Sequence, residues 1–229
     1  MSNDLNRKAA SFVTHRGTAT CLATLSILAF CALAPMGCGQ KPKLAVRSSG
    51  EYYIEYYVDT SGSDRNAVPT HVRLICKVSQ VCPDGTFVTV LRCDTVLETI
   101  KLDFAGRNGQ RLRGELNARL RPLAAGPGSR IDLVVADMLQ KAQMSTKPIV
   151  FVIGSDFMAT GLTEVRIHAF KANVAALSKL PQCKAIILVG ASPAASAFID
   201  ATLAPLAQGK LVRLNVESAT AQQIVGALR

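Results

Sequence analysis

The chain has 229 residues, 49% of them hydrophobic and only 5% aromatic, with no Trp. That is enough apolar material for one ordinary domain, and a core of Ala, Val, Leu and Ile suits buried parallel strands covered by helices. A formal net charge of +10 points to acidic partners or an anionic surface, while the lack of basic residues interleaved with aromatics argues against nucleic acid.

Residues 1–20 are polar and include Arg7, Lys8 and Arg16. An apolar run from Cys21 to Met36 follows. It is short for a membrane-spanning helix and has the length of a signal peptide's apolar region. It ends at Gly37-Cys38-Gly39-Gln40, and a basic, Pro-containing stretch follows. The expected organisation is a signal peptide over residues 1–38, a tether over 39–49 and one domain over 50–229. The Gly37-Cys38 ending resembles a bacterial lipoprotein signal, although Pro35 and Met36 stand where that family usually has an aliphatic and a small residue. The resemblance implies that Cys38 is lipidated and becomes the new N-terminus, so that the domain is exported and anchored in the cell envelope. An ordinary cleaved signal and an uncleaved anchor would export it too. In such a compartment Cys76, Cys82, Cys93 and Cys183 are free to form disulfides in any of three pairings, or to stay as buried thiols.

Tyr52–Val58 reads as a central strand, with Glu55 an unusual guest in it. It runs into Asp59-Thr60-Ser61-Gly62-Ser63. Apolar residues at helical spacing from Val68 to Cys82 predict a helix that Pro83 stops. Residues 86–91 read as a second strand, and the alternation over 99–104 as a half-exposed edge strand. Leu112, Leu116 and Leu120 recur every four residues among Arg111, Arg113, Arg119 and Arg121, predicting a basic helix. Gly126-Pro127-Gly128-Ser129 reads as a loop, and Ile131 to Ala142 as a helix. Pro148–Ile153 is a third buried strand, running into Gly154-Ser155-Asp156. Helices near 170–180, 193–206 and 218–228, the last capped by Ser218, alternate with strands over 185–189 and 211–214. The alternation predicts an α/β fold, a doubly wound and mostly parallel sheet with one antiparallel edge strand and helices on both faces.

Asp59, Ser61 and Ser63 put an acid and two hydroxyls at alternate positions where a strand ends. Hard cations take oxygen ligands, and open α/β sheets bind ligands at the carboxyl ends of their strands. The same residue types also make ordinary turns. In this setting the Asp-x-Ser-x-Ser loop resembles that of the von Willebrand factor A domain family, over roughly residues 50–229, together with the edge hairpin near 86–104 and an acid after the next buried strand. The resemblance implies a metal-ion-dependent adhesion site of Asp59, Ser61, Ser63, Ser129 and Asp156. Such a site holds one divalent ion, Mg²⁺ or Mn²⁺, and leaves a position open for an acidic side chain of a protein partner. Ser129 stands where the family has a Thr, and Ser155-Asp156-Phe157 where it has Thr-Asp-Gly.

Other signals are weaker. Arg111, Arg113, Arg119 and Arg121 form either a solvated helix face or contacts to an anionic surface. His71 and His168 read as surface or capping residues. The chain lacks a Walker-type loop and a Gly-x-Ser-x-Gly elbow, and no catalytic constellation stands out. Three readings follow: an envelope-anchored, metal-dependent binding module that is not an enzyme; a Mg²⁺-dependent hydrolase on the same sheet; and a metal-free scaffolding domain.

Overall fold

Tyr52–Asp59 is apolar on both faces, so it demands cover on both and a place inside the sheet. In the computed structural model, which describes residues 52–100, 109–121, 129–158 and 162–229, it is the central strand β1. The sheet has six strands in the order β3-β2-β1-β4-β5-β6, where β2 is Thr86–Cys93, β3 Leu97–Ile100, β4 Ile149–Gly154, β5 Cys183–Val189 and β6 Leu211–Leu214. Every neighbouring pair is parallel except β2 with β3, the expected antiparallel edge. The leader, the tether, Cys38 and residues 101–104 of the expected edge strand lie outside the described residues.

The chain leaves β1 toward β2 on one side and later resumes at β4 on the other. The sheet order therefore reverses beside the carboxyl end of β1, the position at which such sheets form a crevice. Register puts Asp59 opposite Cys93 of β2 and Val58 opposite Gly154 of β4.

Helices cover both faces. On one face α1 (Val68–Val81), α2 (Gly109–Arg119) and α7 (Ala221–Gly226) pack over Ile54, Tyr56, Val58, Val150 and Val152. On the other, α3 (Ile131–Met144), α4 (Glu164–Lys179) and the stretch from α5 (Pro193–Phe198) to α6 (Ala204–Leu206) pack over Tyr57, Phe151, Ile153 and Leu188. Residues 199–203, between α5 and α6, make a π-helical turn, so the single helix expected over 193–206 is interrupted. α4 starts earlier than expected, at Glu164 behind a Thr163 cap. Ser218 does not cap the last helix. Thr220 does, in a capping box with Gln223. The four cysteines of the domain are free and buried; burial pushes the Cys183 thiol up to about 11 and Cys93 well above its ordinary value, which leaves both inert.

Two polar guests of the core have specific partners. Glu55, on the central strand, accepts a hydrogen bond from Lys141 of α3 at 2.8 Å, and Lys141 also reaches Asp137 at 3.1 Å. The Tyr57 hydroxyl donates to Asp137 at 2.6 Å. His71 is not a surface residue, as its isolation in the sequence implied, but is fully buried in α1. Its Nδ1 lies 3.1 Å from the Tyr56 hydroxyl. Gly154 makes room for it: a Cβ there would stand 2.6 Å from His71 Nδ1.

Two outcomes follow from these guests. Lys141→Met is expected to destabilise the domain by about 3 kcal/mol, because Glu55 stays buried without its cation. Adding Glu55→Leu should recover most of that loss, and urea denaturation of both variants checks it. Gly154→Ala is expected to cost about 2 kcal/mol, since the imidazole has to move within a packed core. A melting temperature equal to wild type would show that His71 has room to spare.

Candidate metal centre

β1 ends on Asp59 because the chain turns there: the Thr60 amide closes the strand by donating to the Cys93 carbonyl at 2.9 Å. The next amide, of Ser61, donates back to Asp59 Oδ1 at 2.8 Å, an Asx-type turn that fixes the carboxylate relative to its own loop. Asp59 Oδ2 accepts from two hydroxyls of distant segments, Ser129 Oγ at 2.5 Å and Ser155 Oγ at 2.7 Å. Ser129 precedes α3, whereas Ser155 follows β4. Ser129 Oγ also lies 3.1 Å from Ser61 Oγ, which lies 3.3 Å from Ser63 Oγ.

Asp59, Ser61, Ser63 and Ser129 thus form one connected set of oxygens. Asp59 has no exposed surface and Ser61 and Ser129 are each 4% exposed, while Ser63 is open to solvent. Among the described residues no basic side chain pairs with Asp59; its partners are an amide and two hydroxyls. Asp156 sits apart from this chain of bonds. It is half-buried, and its Oδ1 accepts from the Met158 amide at 3.0 Å, while its carbonyl accepts from Ser192 N at 2.8 Å.

Two residues near the site were not singled out from the sequence. Ser155 is one, and its position between a buried strand and an acid was the available signal. Its hydroxyl also accepts from the Phe157 amide at 2.9 Å. Asp64 is the other. It is buried, with its Oδ2 3.7 Å from His71 Nε2 and, among the described residues, no hydrogen-bond partner on either atom. Burial pushes the Asp64 carboxyl up, His71 pulls against that, and the carboxylates of Asp59 and Asp156 push it further up. Asp64 thus feels the negative charge of both Asp59 and Asp156.

The loop after β4 differs from the family pattern in a way that the backbone explains. Phe157 stands where the family has Gly and adopts φ of +58°, a conformation that costs a bulky residue roughly 1–2 kcal/mol. Its ring offsets that cost by burial, 1% exposed, among Ile153, Phe170 and Leu188.

The basic residues of α2, and Arg121 just beyond its end, do not form one face. Leu112, Leu116 and Leu120 are buried, and the arginines flank them on both sides. On one flank Arg111 is paired with Glu115 at 3.1 Å, one turn before Arg119. On the other flank lie Arg113, Asn117 and Arg121.

The donor set, carboxylates and hydroxyls without thiol or imidazole, fits a hard cation such as Mg²⁺ or Mn²⁺. The fully buried carboxylate without a basic partner fits one as well.

No family model matches the sequence, and no curated protein is similar to it. Solved structures are similar in fold. A von Willebrand factor type A protein from Catenulispora acidiphila superposes with a TM-score of 0.54 at 10% identity, covering 78% of this chain and 41% of that one. The manganese-loaded TRAP protein of Plasmodium vivax gives 0.54 at 10% identity, covering 79% and 73%. An aerotolerance-related membrane protein from Bacteroides fragilis gives 0.52 at 11% identity, covering 77% and 98%. The chain therefore spans less than half the length of the Catenulispora protein. At such identities the likeness carries the arrangement of strands and helices rather than the chemistry. The fold is therefore similar to that of a von Willebrand factor type A protein: a six-stranded, mostly parallel sheet with an antiparallel edge strand and helices on both faces.

Proposed function

We propose that the chain is an envelope-anchored binding module, not an enzyme, that captures a protein partner through one divalent cation. Asp59, Ser61, Ser63, Ser129 and Asp156 would hold the ion. The observation that carries the reading is Asp59: a carboxylate with no exposed surface, met among the described residues by an amide and two hydroxyls and by no basic side chain. An ionised carboxylate buried in that way is costly unless a cation joins it. Asp59 and Asp156 would bring negative charge, and the three serines neutral oxygens. The bound ion would supply an electrophilic position for an acidic side chain of the partner.

The chain's own residues suit binding better than catalysis. The hydroxyls nearest Asp59 direct their protons to its carboxylate, and an unactivated serine is a weak nucleophile. The buried imidazole, His71, faces Tyr56 and Asp64 instead. That one similar structure, TRAP, is manganese-loaded supports the metal reading.

A specific observation also favours the metal-free scaffold. Asp59 already accepts three hydrogen bonds, so the loop holds its shape unaided.

Anchoring rests on Gly37-Cys38 after the apolar run. No helix among the described residues is long and apolar enough to cross a membrane, so attachment falls to residues 1–38. The likeness in fold to the Bacteroides membrane protein is compatible with a domain displayed at a membrane.

Metal is expected to stabilise the domain by about 2.7 kcal/mol at a hundredfold excess over Kd, read as a rise in melting temperature with Mg²⁺ or Mn²⁺ against chelator. Asp59→Asn, which removes charge but keeps shape, should abolish the rise, and Ser129→Ala should reduce it. A wild-type melting temperature indifferent to both ions at millimolar concentration would leave the scaffold as the function. Cys38→Ser is expected to lose radiolabelled lipid and move to the soluble fraction. Retained membrane association with unchanged mass would instead identify an uncleaved anchor.

A further inference from the structure

The end of the molecule that carries Asp59 also carries a basic cleft. α1 and α2 run antiparallel: a Cβ on Gly109, at the start of α2, would touch Gln80 near the end of α1. The end of α2 therefore returns to the start of α1, beside the loop of Asp59, Ser61 and Ser63. A cleft of about 370 Å³ opens there, lined by Arg65, Val68, Pro69, Asn117, Leu120 and Arg121. Arg65 follows Ser63 by two residues.

Neither Arg65 nor Arg121 has a hydrogen bond or an ion pair within the described residues, and both are exposed. Four other arginines are neutralised by acids: Arg111 by Glu115, Arg130 by Asp132, Arg92 by Glu98 and Arg213 by Asp200. Two unpaired guanidinium groups over an apolar floor of Val68, Pro69 and Leu120 offer planar forks for carboxylate oxygens and a surface for the methylenes behind them.

We infer that this cleft, between the start of α1 and the end of α2, is a second anchor for an acidic peptide segment of a protein partner, with Arg65 and Arg121 gripping its carboxylates. The inference rests on the reading of the chain as a protein-binding module, but not on an ion at Asp59. An acidic segment lying across this end of the sheet would meet the two arginines in the cleft and the Asp59 loop next to it. A lipid surface is the less suitable ligand. The arginines of α2 point to both flanks of the helix, and one of them is already paired, so they present no continuous basic plane.

The test is fluorescence anisotropy of a short labelled peptide of alternating Glu and Ala, with its Gln counterpart as control, added to the full chain in Mg²⁺ and in chelator. The Glu peptide is expected to bind and the Gln peptide not to. Affinity should fall on the order of tenfold with Arg65→Ala or Arg121→Ala, and further in the double variant, as loss of a charge-assisted bidentate contact implies. It should also weaken as salt rises. Arg111→Ala, on the other flank of α2, should leave it unchanged. Melting curves equal to wild type show that these exposed substitutions do not act through folding. Binding that survives chelator and Asp59→Asn but fails in the double variant upholds the cleft as an anchor that acts without the ion. Binding lost in Asp59→Asn yet indifferent to Arg65 and Arg121 overturns the cleft and leaves the metal reading standing. No binding by wild type, equal binding of the Gln peptide, or arginine-dependent binding only to phosphatidylglycerol vesicles also overturns it.

Discussion

One carboxylate ties three separated parts of the chain together. Asp59 ends the central strand and receives hydrogen bonds from its own loop, from the segment before α3 and from the segment after β4. Each bond alone contributes on the order of 1 kcal/mol net, more where the acceptor is charged. Their larger effect is geometric. The segments meet at the place where sheet order reverses, and a shared acceptor sets the distance between them. Strand pairing does the rest, since β1 is bonded to both β2 and β4.

The core around this junction contains the polar groups that such a junction brings with it. Behind the loop, Asp64 and His71 are buried together without closing a hydrogen bond, and Gly154 is the residue of β4 that leaves space for the imidazole. On the opposite face Glu55 is buried, but it has Lys141. Buried charge is handled differently along the strand. Within β1 an acid is paired with a lysine at 2.8 Å, whereas at its carboxyl end acids lie near one another and, among the described residues, meet neutral donors and a histidine. The asymmetry puts the uncompensated negative charge at the carboxyl end of the strands, in the region where a cation or a basic group of a ligand gains most.

Much of this was legible in the sequence, because period and composition report burial directly. The largely apolar stretches of β1, β4 and β5 and the four-residue spacing of Leu112, Leu116 and Leu120 each have one sensible packing. Asp59, Ser61 and Ser63 were readable because they sit together on one loop. Ser129 took more, namely the resemblance to a family, since the 70 residues separating it from Asp59 carry no local sign of the contact. Ser155 was overshadowed by Asp156: an acid beside a serine draws attention to the charge, yet the hydroxyl is what reaches Asp59. His71 was misread because a lone histidine has no period; only its place on the buried stripe of α1, between Val68 and Ile75, pointed inward. The π-helical turn at 199–203 has no compositional marker.

A shell of hydrogen bonds and a bound cation need not compete for the same serines. A hydroxyl has one proton and two lone pairs. Ser129 gives its proton to Asp59 Oδ2, and its lone pairs then have no further proton to meet within the pair. A proton held in that way also fixes the rotation of the hydroxyl, which otherwise costs entropy when a ligand binds. The bonds that make Asp59 look self-sufficient are thus compatible with pre-organised hydroxyls at the centre. Ser63 differs from them. It is exposed, and among the described residues its hydroxyl is held only by the 3.3 Å contact to Ser61. Of the five residues it is the one whose position a ligand would most easily adjust, whereas Asp59 and Ser129 are set by the fold before any ligand arrives.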